Sequence, residues 1–225
     1  MLKKALAEMI GTFALVFIGA GAVSANAFSG GSVGIIGIAF AHGLVLMTMI
    51  YAIGAMSGCH INPAVTIAMI LKKKIKISTG IFYILFQLIG AAIAGFFLLT
   101  IFPNQVSTVF LGATDLGTGV SISTGILLEI ILTFFLAFTI FSIRDGEPLA
   151  GVAIGLVLTF DILVGLSLTG ASMNPARSFG PALASNHWNN HIIYWIGPII
   201  GALIAALAHK IISEKVKVDV RKKKV

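Results

Sequence analysis

The sequence predicts an all-α membrane protein with six transmembrane helices and two re-entrant half-helices, arranged as two inverted repeats of three spans each. Three observations lead to this fold class. The chain is 58% hydrophobic and 10% charged, with a mean hydropathy of +1.05, unlike an ordinary soluble domain. Six apolar segments reach the roughly 20 residues that cross the hydrocarbon core. A motif of similar sequence also occurs twice, once in each half of the chain.

The six predicted spans leave no room for a soluble domain, because the links between them are short and partly apolar. We therefore expect a single membrane channel domain over residues 1–225, with a first repeat at about 5–102, a second at about 120–212 and a basic cytoplasmic tail at 213–225. One cysteine excludes an internal disulfide. The spans are expected at residues 5–25, 33–56, 78–102, 120–143, 149–168 and 191–212.

The doubled motif predicts the two half-helices. SGCHINPA at residues 57–64 returns as TGASMNPA at 169–176, 112 positions later. Asn is a strong N-cap, and Pro fits the first helical position, where its missing N–H costs nothing. Short helices at 63–71 and 175–184 would therefore begin inside the membrane, with their electropositive ends near the midplane.

The positive charges predict the orientation. Of the 15 Lys and Arg residues, all but Arg177 lie at 3–4, 72–76, 144 or 210–224, which six spans place on one side. This positive-inside pattern makes both termini cytoplasmic and argues against a nucleic-acid partner. Arg177 is the exception, three residues after Asn174. A lone cation in an apolar segment is by default a functional residue.

The two halves are repeats of each other. AEMIGTF at 7–13 resembles LEIILTF at 128–134, and GLVL at 43–46 recurs at 155–158. Each half holds three spans, an odd number, so the second half enters the membrane from the opposite face. Inverted repeats with interrupted helices near the midplane are typical of transport proteins.

The paired Asn-Pro-Ala segments, the NPARSFG form of the second and the repeated Glu-x-x-x-Thr-Phe resemble the aquaporin (major intrinsic protein) family over about residues 6–212. The resemblance implies the aquaporin fold, a passive water channel in the plasma membrane, a homotetramer with lipid around it, no cofactor and no metal. It assigns the doubled motif residues to the pore: Asn62, Pro63, Ala64, Asn174, Pro175 and Ala176.

Physical chemistry predicts roles for the same pore residues. Each Asn can cap its helix with the side-chain oxygen and keep its amide NH2 as a donor to passing water. Backbone carbonyls at 58–61 and 170–173 would form a ladder of acceptors. The resemblance further implies that intramembrane Glu8 and Glu129, related by the repeat, brace these loops. It also implies an apolar pore wall at the repeat-related Leu15, Leu46, Leu136 and Leu158, and Cys59 and His60 are expected on the same wall.

Four residues match the family's selectivity filter: His42, Ile162, Ala171 and Arg177. Many water-specific members have Phe and His at the first two positions, so this set resembles instead some plant vacuolar-membrane aquaporins, a group associated with ammonia as well as water. We expect His42 and Arg177 to supply hydrogen-bond donors, and Ile162 to widen the filter and make it less polar.

Glycerol conduction is the first alternative. Glycerol-conducting members have Asp and Lys where this chain has Ser178 and Ala182, which favours water, although the widened filter favours glycerol. Asp161, beside Ile162, is expected to form a hydrogen bond at a helix or subunit contact.

Three further classes are less favoured. A secondary transporter would need more midplane polar groups, and a junction-forming structural protein would need larger outer loops. An enzyme would need a nucleophile–base pair or metal ligands, and the histidines have no ligand spacing.

Overall fold

The computed structural model describes residues 1–144 and 146–222, and of residues 214–222 it describes the backbone alone. Residues 223–225 of the predicted basic tail, and the side chains of 214–222, therefore lie outside the described residues. The helices are α1 (Leu2–Phe28), α2 (Gly34–Ser57), α3 (Pro63–Leu71), α4 (Ile77–Ile101), the single turn α5 (Val106–Val109), α6 (Ile122–Ser142), α7 (Ala150–Thr169), α8 (Pro175–Ser185) and α9 (Ile193–Lys222). Two 3₁₀ turns, Pro103–Gln105 and Phe110–Gly112, flank α5.

Six of the described helices are long and apolar enough to span a membrane: α1, α2, α4, α6, α7 and the Ile193–Ser213 part of α9. With 20 to 27 residues they rise about 30–40 Å, which suits a hydrocarbon core of about 30 Å. Helices α3 and α8 are too short to cross, with 9 and 11 residues. The predicted six spans and two half-helices are confirmed. The largest difference is that α9 continues beyond the predicted residue 212.

The outer surface of the helices is apolar. Leu, Ile and Phe side chains such as Ile10, Ile81, Leu127 and Ile204 are each about half exposed, as suits contact with lipid. The polar side chains Glu8, His42, Asn62 and others are buried inside the bundle. The chain is therefore an integral membrane protein with a polar interior.

Close contacts between equivalent helices display the internal repeat. Helix α1 packs on α4, and α6 packs on α9 in the same way. A Cβ at Gly90 would meet the carbonyl oxygen of Met9, and a Cβ at Gly201 would meet that of Ile130. These glycines let the helix backbones approach closely.

The repeats meet along α2 and α7. Gly43 and Gly155 occupy the same place in the two repeats, and a Cβ on either would lie 2.5–2.6 Å from the carbonyl oxygen of the other. Because equivalent residues contact each other here, this crossing lies on the axis that relates the repeats. The half-helices bridge the repeats, since α8 packs on α4 and α3 packs on α9 as well as on its own α4.

Candidate functional site

The half-helices begin at the two asparagines. The Asn62 side-chain oxygen accepts from the Ala64 N–H at 2.9 Å, and that of Asn174 accepts from the Ala176 N–H at 3.0 Å and the Arg177 N–H at 3.3 Å. Each cap satisfies N–H groups that would otherwise lack a partner, and leaves the positive end of the helix dipole at the asparagine.

The asparagine amides also join the two repeats. Nδ2 of Asn62 donates to the Met173 carbonyl at 2.8 Å, and Nδ2 of Asn174 donates to the Ile61 carbonyl at 2.9 Å. The last carbonyl of the predicted ladder in each loop thus accepts from the opposite asparagine and keeps one lone pair for another donor. An amide NH2 has two donors, so each asparagine keeps one N–H for the space around it.

The loops before the asparagines adopt strained backbone conformations. Cys59 and Ile61 have φ of 49° and 40°, and their repeat counterparts Ala171 and Met173 have φ of 46° and 52°. Left-handed conformations at non-glycine residues cost about 1–3 kcal/mol each and persist only where surrounding contacts enforce them. The same strain at equivalent places indicates that the conformation is required by the loop path.

Glu8 supplies contacts that hold the first loop. Its carboxylate accepts from the backbone N–H groups of His60 at 2.9 Å and Ile61 at 2.6 Å. It also accepts from the Ser57 hydroxyl at 2.6 Å and the Gln87 amide at 2.8 Å. Hydrogen bonds to a buried carboxylate are about twice as strong as neutral ones, so they offset the strain of the left-handed residues.

Glu129 holds the second loop in the same way. Its carboxylate accepts from the N–H groups of Ser172 at 2.9 Å and Met173 at 2.8 Å, and from the Thr169 hydroxyl at 2.8 Å. Both glutamates are fully buried. The second loop has no counterpart of the Gln87 contact, because the equivalent position in α9 is Pro198.

A cavity lies at the meeting point of the half-helices, lined by residues of α1, α2, α6 and α7. The polar side chains on its wall are Asn62, Asn174, His42, His60, Ser172 and Arg177. The structure brings ten of the predicted pore and filter residues together on its wall: Leu15, Leu46, Leu136, Leu158, Cys59, His60, Asn62, Asn174, His42 and Arg177. Pro63, Ala64, Pro175 and Ala176 are buried in the first turns of α3 and α8.

The predicted filter residues do not all lie on the cavity wall. His42 and Arg177 contact each other there, and Arg177 also lines a second cavity on the side of the α4–α6 connection. Ile162 and Ala171 are buried in the apolar cluster that includes the four leucines. Of the four filter residues, Arg177 is therefore the one that lines both cavities.

The structure corrects the predicted chemistry of His42. Its Nδ1 lies 2.9 Å from the Ile38 carbonyl, which can only accept, so Nδ1 carries the proton. Nε2 is then the acceptor, 3.3 Å from the donating Nη2 of Arg177. His42 therefore presents an acceptor rather than the expected donor, because a backbone carbonyl one turn away fixes the tautomer.

Arg177 is a buried cation without a carboxylate contact among the described residues. It is 2% exposed, its Nη1 donates to the Gly112 carbonyl at 2.7 Å, and its Nε has no hydrogen-bond partner there. Its charge is therefore not neutralised by a direct ion pair. Sequence reasoning missed Gly112, since a backbone carbonyl in a connecting loop leaves no mark in the residue types.

Three residues of the cavity wall, Ile154, Ile50 and Val65, were not predicted from the sequence, although the 112-residue offset could have found them, whereas Cys59 was predicted. Applied to the filter, the offset leads to four positions that all line the cavity. One end of the cavity is therefore polar and the equivalent positions at the other end are apolar. The four are Ile154, Ile50, Cys59 and Val65, which correspond to His42, Ile162, Ala171 and Arg177.

Asp161 is buried inside the bundle rather than at a subunit surface, since it is 1% exposed. Its Oδ2 has no hydrogen-bond partner among the described residues, so a hydrogen bond at a helix contact stays a prediction. The described residues contain no cluster of three or more His, Cys, Asp or Glu that could hold a metal ion.

Comparisons with known proteins agree with this geometry. The model of the family described as "Major intrinsic protein" matches residues 1–209. Aquaporin-4 of Mus musculus is 40% identical over 219 residues, 92% of this chain and 66% of that protein. An Arabidopsis thaliana protein named "Probable aquaporin TIP3-2" is 40% identical over 225 residues, 93% of this chain and 83% of that protein.

The aquaporin-4 relatives are longer proteins, and the matches span between 53% and 66% of their length. Among solved structures, the aquaglyceroporin from Plasmodium falciparum superposes with a TM-score of 0.85 at 22% identity, over 96% of this chain and 99% of that one. At this identity the superposition establishes the fold alone.

Proposed function

Because the chain belongs to the major intrinsic protein family, we propose that it is a passive transmembrane channel for water that also conducts ammonia and excludes protons and ions. One observation carries the proposal. Asn62 and Asn174, on the ends of two opposed half-helices, line the same cavity, which is otherwise walled mainly by apolar side chains.

Water passes the asparagine pair by offering its oxygen to both. Each amide uses one N–H on the opposite loop and has the other for the cavity. A water that accepts from both asparagines points its hydrogens away from them, so it cannot relay a proton through the midplane. The leucines beside it offer no competing partner, which favours single-file passage.

Positive charge excludes cations at two levels. The N-termini of α3 and α8 each carry roughly half a positive charge at the asparagines. Arg177 adds a full charge at the junction of the two cavities, with no carboxylate in contact among the described residues. Helix dipoles and an Arg serve this purpose in water channels.

The filter supports ammonia conduction but not glycerol conduction. Arg177 has five N–H donors, of which the bonds to Gly112 and His42 use two, so others are available to a small neutral acceptor such as ammonia, while Ile162 and Ala171 are apolar. The Ser178 hydroxyl, at a position that distinguishes the glycerol-conducting members, is engaged by Ser172 and Thr114 at 2.6 Å each. It is therefore not free to bind a polyol.

We place the channel in the plasma membrane with both termini cytoplasmic, as a single domain over residues 1–225 that assembles as a homotetramer with one pore per subunit. The distribution of Lys and Arg supports the orientation. Exposed apolar side chains around the bundle are available for lipid and for neighbouring subunits. A passive channel requires neither a catalytic group nor a cofactor.

Light scattering of proteoliposomes tests the function. Vesicles containing the purified protein should shrink in an osmotic gradient faster than empty vesicles, with a low activation energy and no proton leak. Rapid glycerol entry would favour the alternative of a polyol facilitator. Transport that depends on an ion gradient would favour a secondary transporter, and no acceleration of water flow would refute the proposal.

A further inference from the structure

The connection between α4 and α6 (residues 102–121) reaches the filter through Gly112. Its carbonyl accepts from Nη1 of Arg177 at 2.7 Å. Gly112 has φ of +76°, and an added Cβ would lie 2.6 Å from the backbone oxygen of Ala20, so only glycine fits here. Among the described residues, this carbonyl and Nε2 of His42 are the two hydrogen-bond partners of the guanidinium. The position of Arg177 therefore depends on a segment outside both half-helices.

A single histidine holds this segment on both sides of Gly112. The ring of His187 stacks on Phe110, with centroids 3.8 Å apart and an interplanar angle of 11°. Its Nε2 lies 2.6 Å from Oδ2 of Asp115. Gly112 lies between these two contacts along the chain. Asp115 is further held at Oδ1 by the Asn190 amide at 2.9 Å and by the Leu116 N–H at 2.7 Å.

The same half-helix carries both Arg177 and the residue that holds its partner. Helix α8 contains Arg177 in its first turn, and His187 follows soon after its last residue, Ser185. The His187 side chain is 8% exposed and that of Asp115 is 27% exposed, so water screens their interaction less than that of a surface pair. The contacts form a closed path from Arg177 along α8 to His187, and through 110–115 back to Arg177.

We propose that Asp115, His187 and Phe110 form a latch that positions the Gly112 carbonyl against Arg177 and so determines the width of the filter. This inference rests on the proposed function, in which Arg177 lines the pathway. Without the latch, the Thr114–Ser178 hydroxyl bond at 2.6 Å still holds the segment to α8, but residues 110–112 lose the ring that packs on them and the Gly112 carbonyl can turn away from Nη1. The guanidinium then keeps His42 as its partner. The arginine side chain can then leave the pathway, and neutral solutes larger than water enter. Asp115 and His187 are positioning residues, because they act through Gly112.

The ratio of urea permeability to water permeability in proteoliposomes tests the latch. Phe110→Ala, which removes one ring stack, should raise this ratio about fivefold, and Asp115→Ala, which removes three hydrogen bonds, should raise it by at least as much. Phe110 is 37% exposed, so Phe110→Ala should fold and serves as the second variant if Asp115→Ala folds poorly. Asp115→Asn keeps the Oδ1 acceptor for Asn190 and Leu116 but replaces the oxygen that faces Nε2 of His187, so it should raise the ratio, though less than Asp115→Ala. Ser107→Ala, at an exposed position in the same connection, is the matched control.

Epistasis separates positioning from general destabilisation. In an Arg177→Val background, Asp115→Ala should raise urea entry no further, because the residue that it positions is absent. A further increase there would overturn the latch, as would an unchanged ratio in both Asp115→Ala and Phe110→Ala while wild-type vesicles conduct water. Wild-type vesicles that do not conduct water would instead refute the proposed function, and the latch with it.

Discussion

Asn62 and Asn174 exchange hydrogen bonds across the repeats: each side-chain amide donates to the carbonyl one residue before the other asparagine. The two half-helices are therefore held end to end by a symmetric pair of bonds, at 2.8 and 2.9 Å. This pair fixes the geometry at the centre of the proposed pathway.

Arg177→Val should let protons, small cations or larger neutral solutes through the channel. The substitution removes the charge that lines both cavities, and makes the position identical to its repeat counterpart Val65. A tenfold rise in proton leak needs a barrier lower by only about 1.4 kcal/mol. A pH-sensitive dye inside vesicles measures it, with Arg144→Val at an exposed position as the control. A variant as selective as the wild type would mean that Arg177 does not control the pathway.

Cys59 should make the channel sensitive to mercurials. Its thiol lines the cavity and is the one cysteine of the sequence, so a soft metal bound there would obstruct flow. Cys59→Ser should conduct water and resist mercury.

The repeat provides the control for this experiment. Adding Ala171→Cys to Cys59→Ser places the thiol at the equivalent position of the second loop, which packs beside the filter. Because Ala171 is buried in the apolar cluster and does not lie on the cavity wall, the double variant should stay resistant to mercury. Inhibition that persists in Cys59→Ser alone would show that mercury acts elsewhere.

Ile162→His should reduce ammonia flux relative to water flux. The substitution adds a polar ring beside the filter that can hydrogen-bond to water. A solute that cannot make this hydrogen bond leaves the ring unpaired, and sites discriminate between similar molecules in this way. One such bond corresponds to about a fivefold change. Ammonia-driven alkalinisation of vesicles measures the effect, with Ile162→His combined with His42→Phe as the comparison. Wild-type ammonia flux equal to that of empty vesicles, alongside rapid water flow, would contradict ammonia conduction.

Glu8→Gln should destabilise the protein by about 2–4 kcal/mol, because the amide replaces an acceptor with a donor that faces the N–H groups of His60 or Ile61. Glu129→Gln should do the same at the second loop. Thermal unfolding in detergent compares both with Glu147→Gln, which changes an exposed carboxylate. Equal melting temperatures for all three variants would remove the case for these glutamates as braces.

Much of the architecture follows from the sequence, because its signals are local and periodic. Apolar segments of the required length place the six spans, and Asn-Pro places the start of each half-helix to the residue. The 112-residue repeat predicts the inverted arrangement, since any three-span unit must return from the opposite face. The same 112-residue offset leads from His42 to Ile154 and from Ile162 to Ile50, two apolar residues of the cavity wall.

The sequence by itself therefore determined the membrane class, the spans, the paired helix ends and the identity of the groups at the centre. Only the tertiary structure decided which atoms face which. The tautomer of His42 depends on the Ile38 carbonyl, and the position of Arg177 depends on the Gly112 carbonyl. The asparagine amides donate to carbonyls that lie 111 and 113 residues away along the chain. The physical reason is that every residue carries the same backbone carbonyl. Residue type therefore gives no sign of which carbonyl will accept a hydrogen bond, and folding alone brings the partner to it.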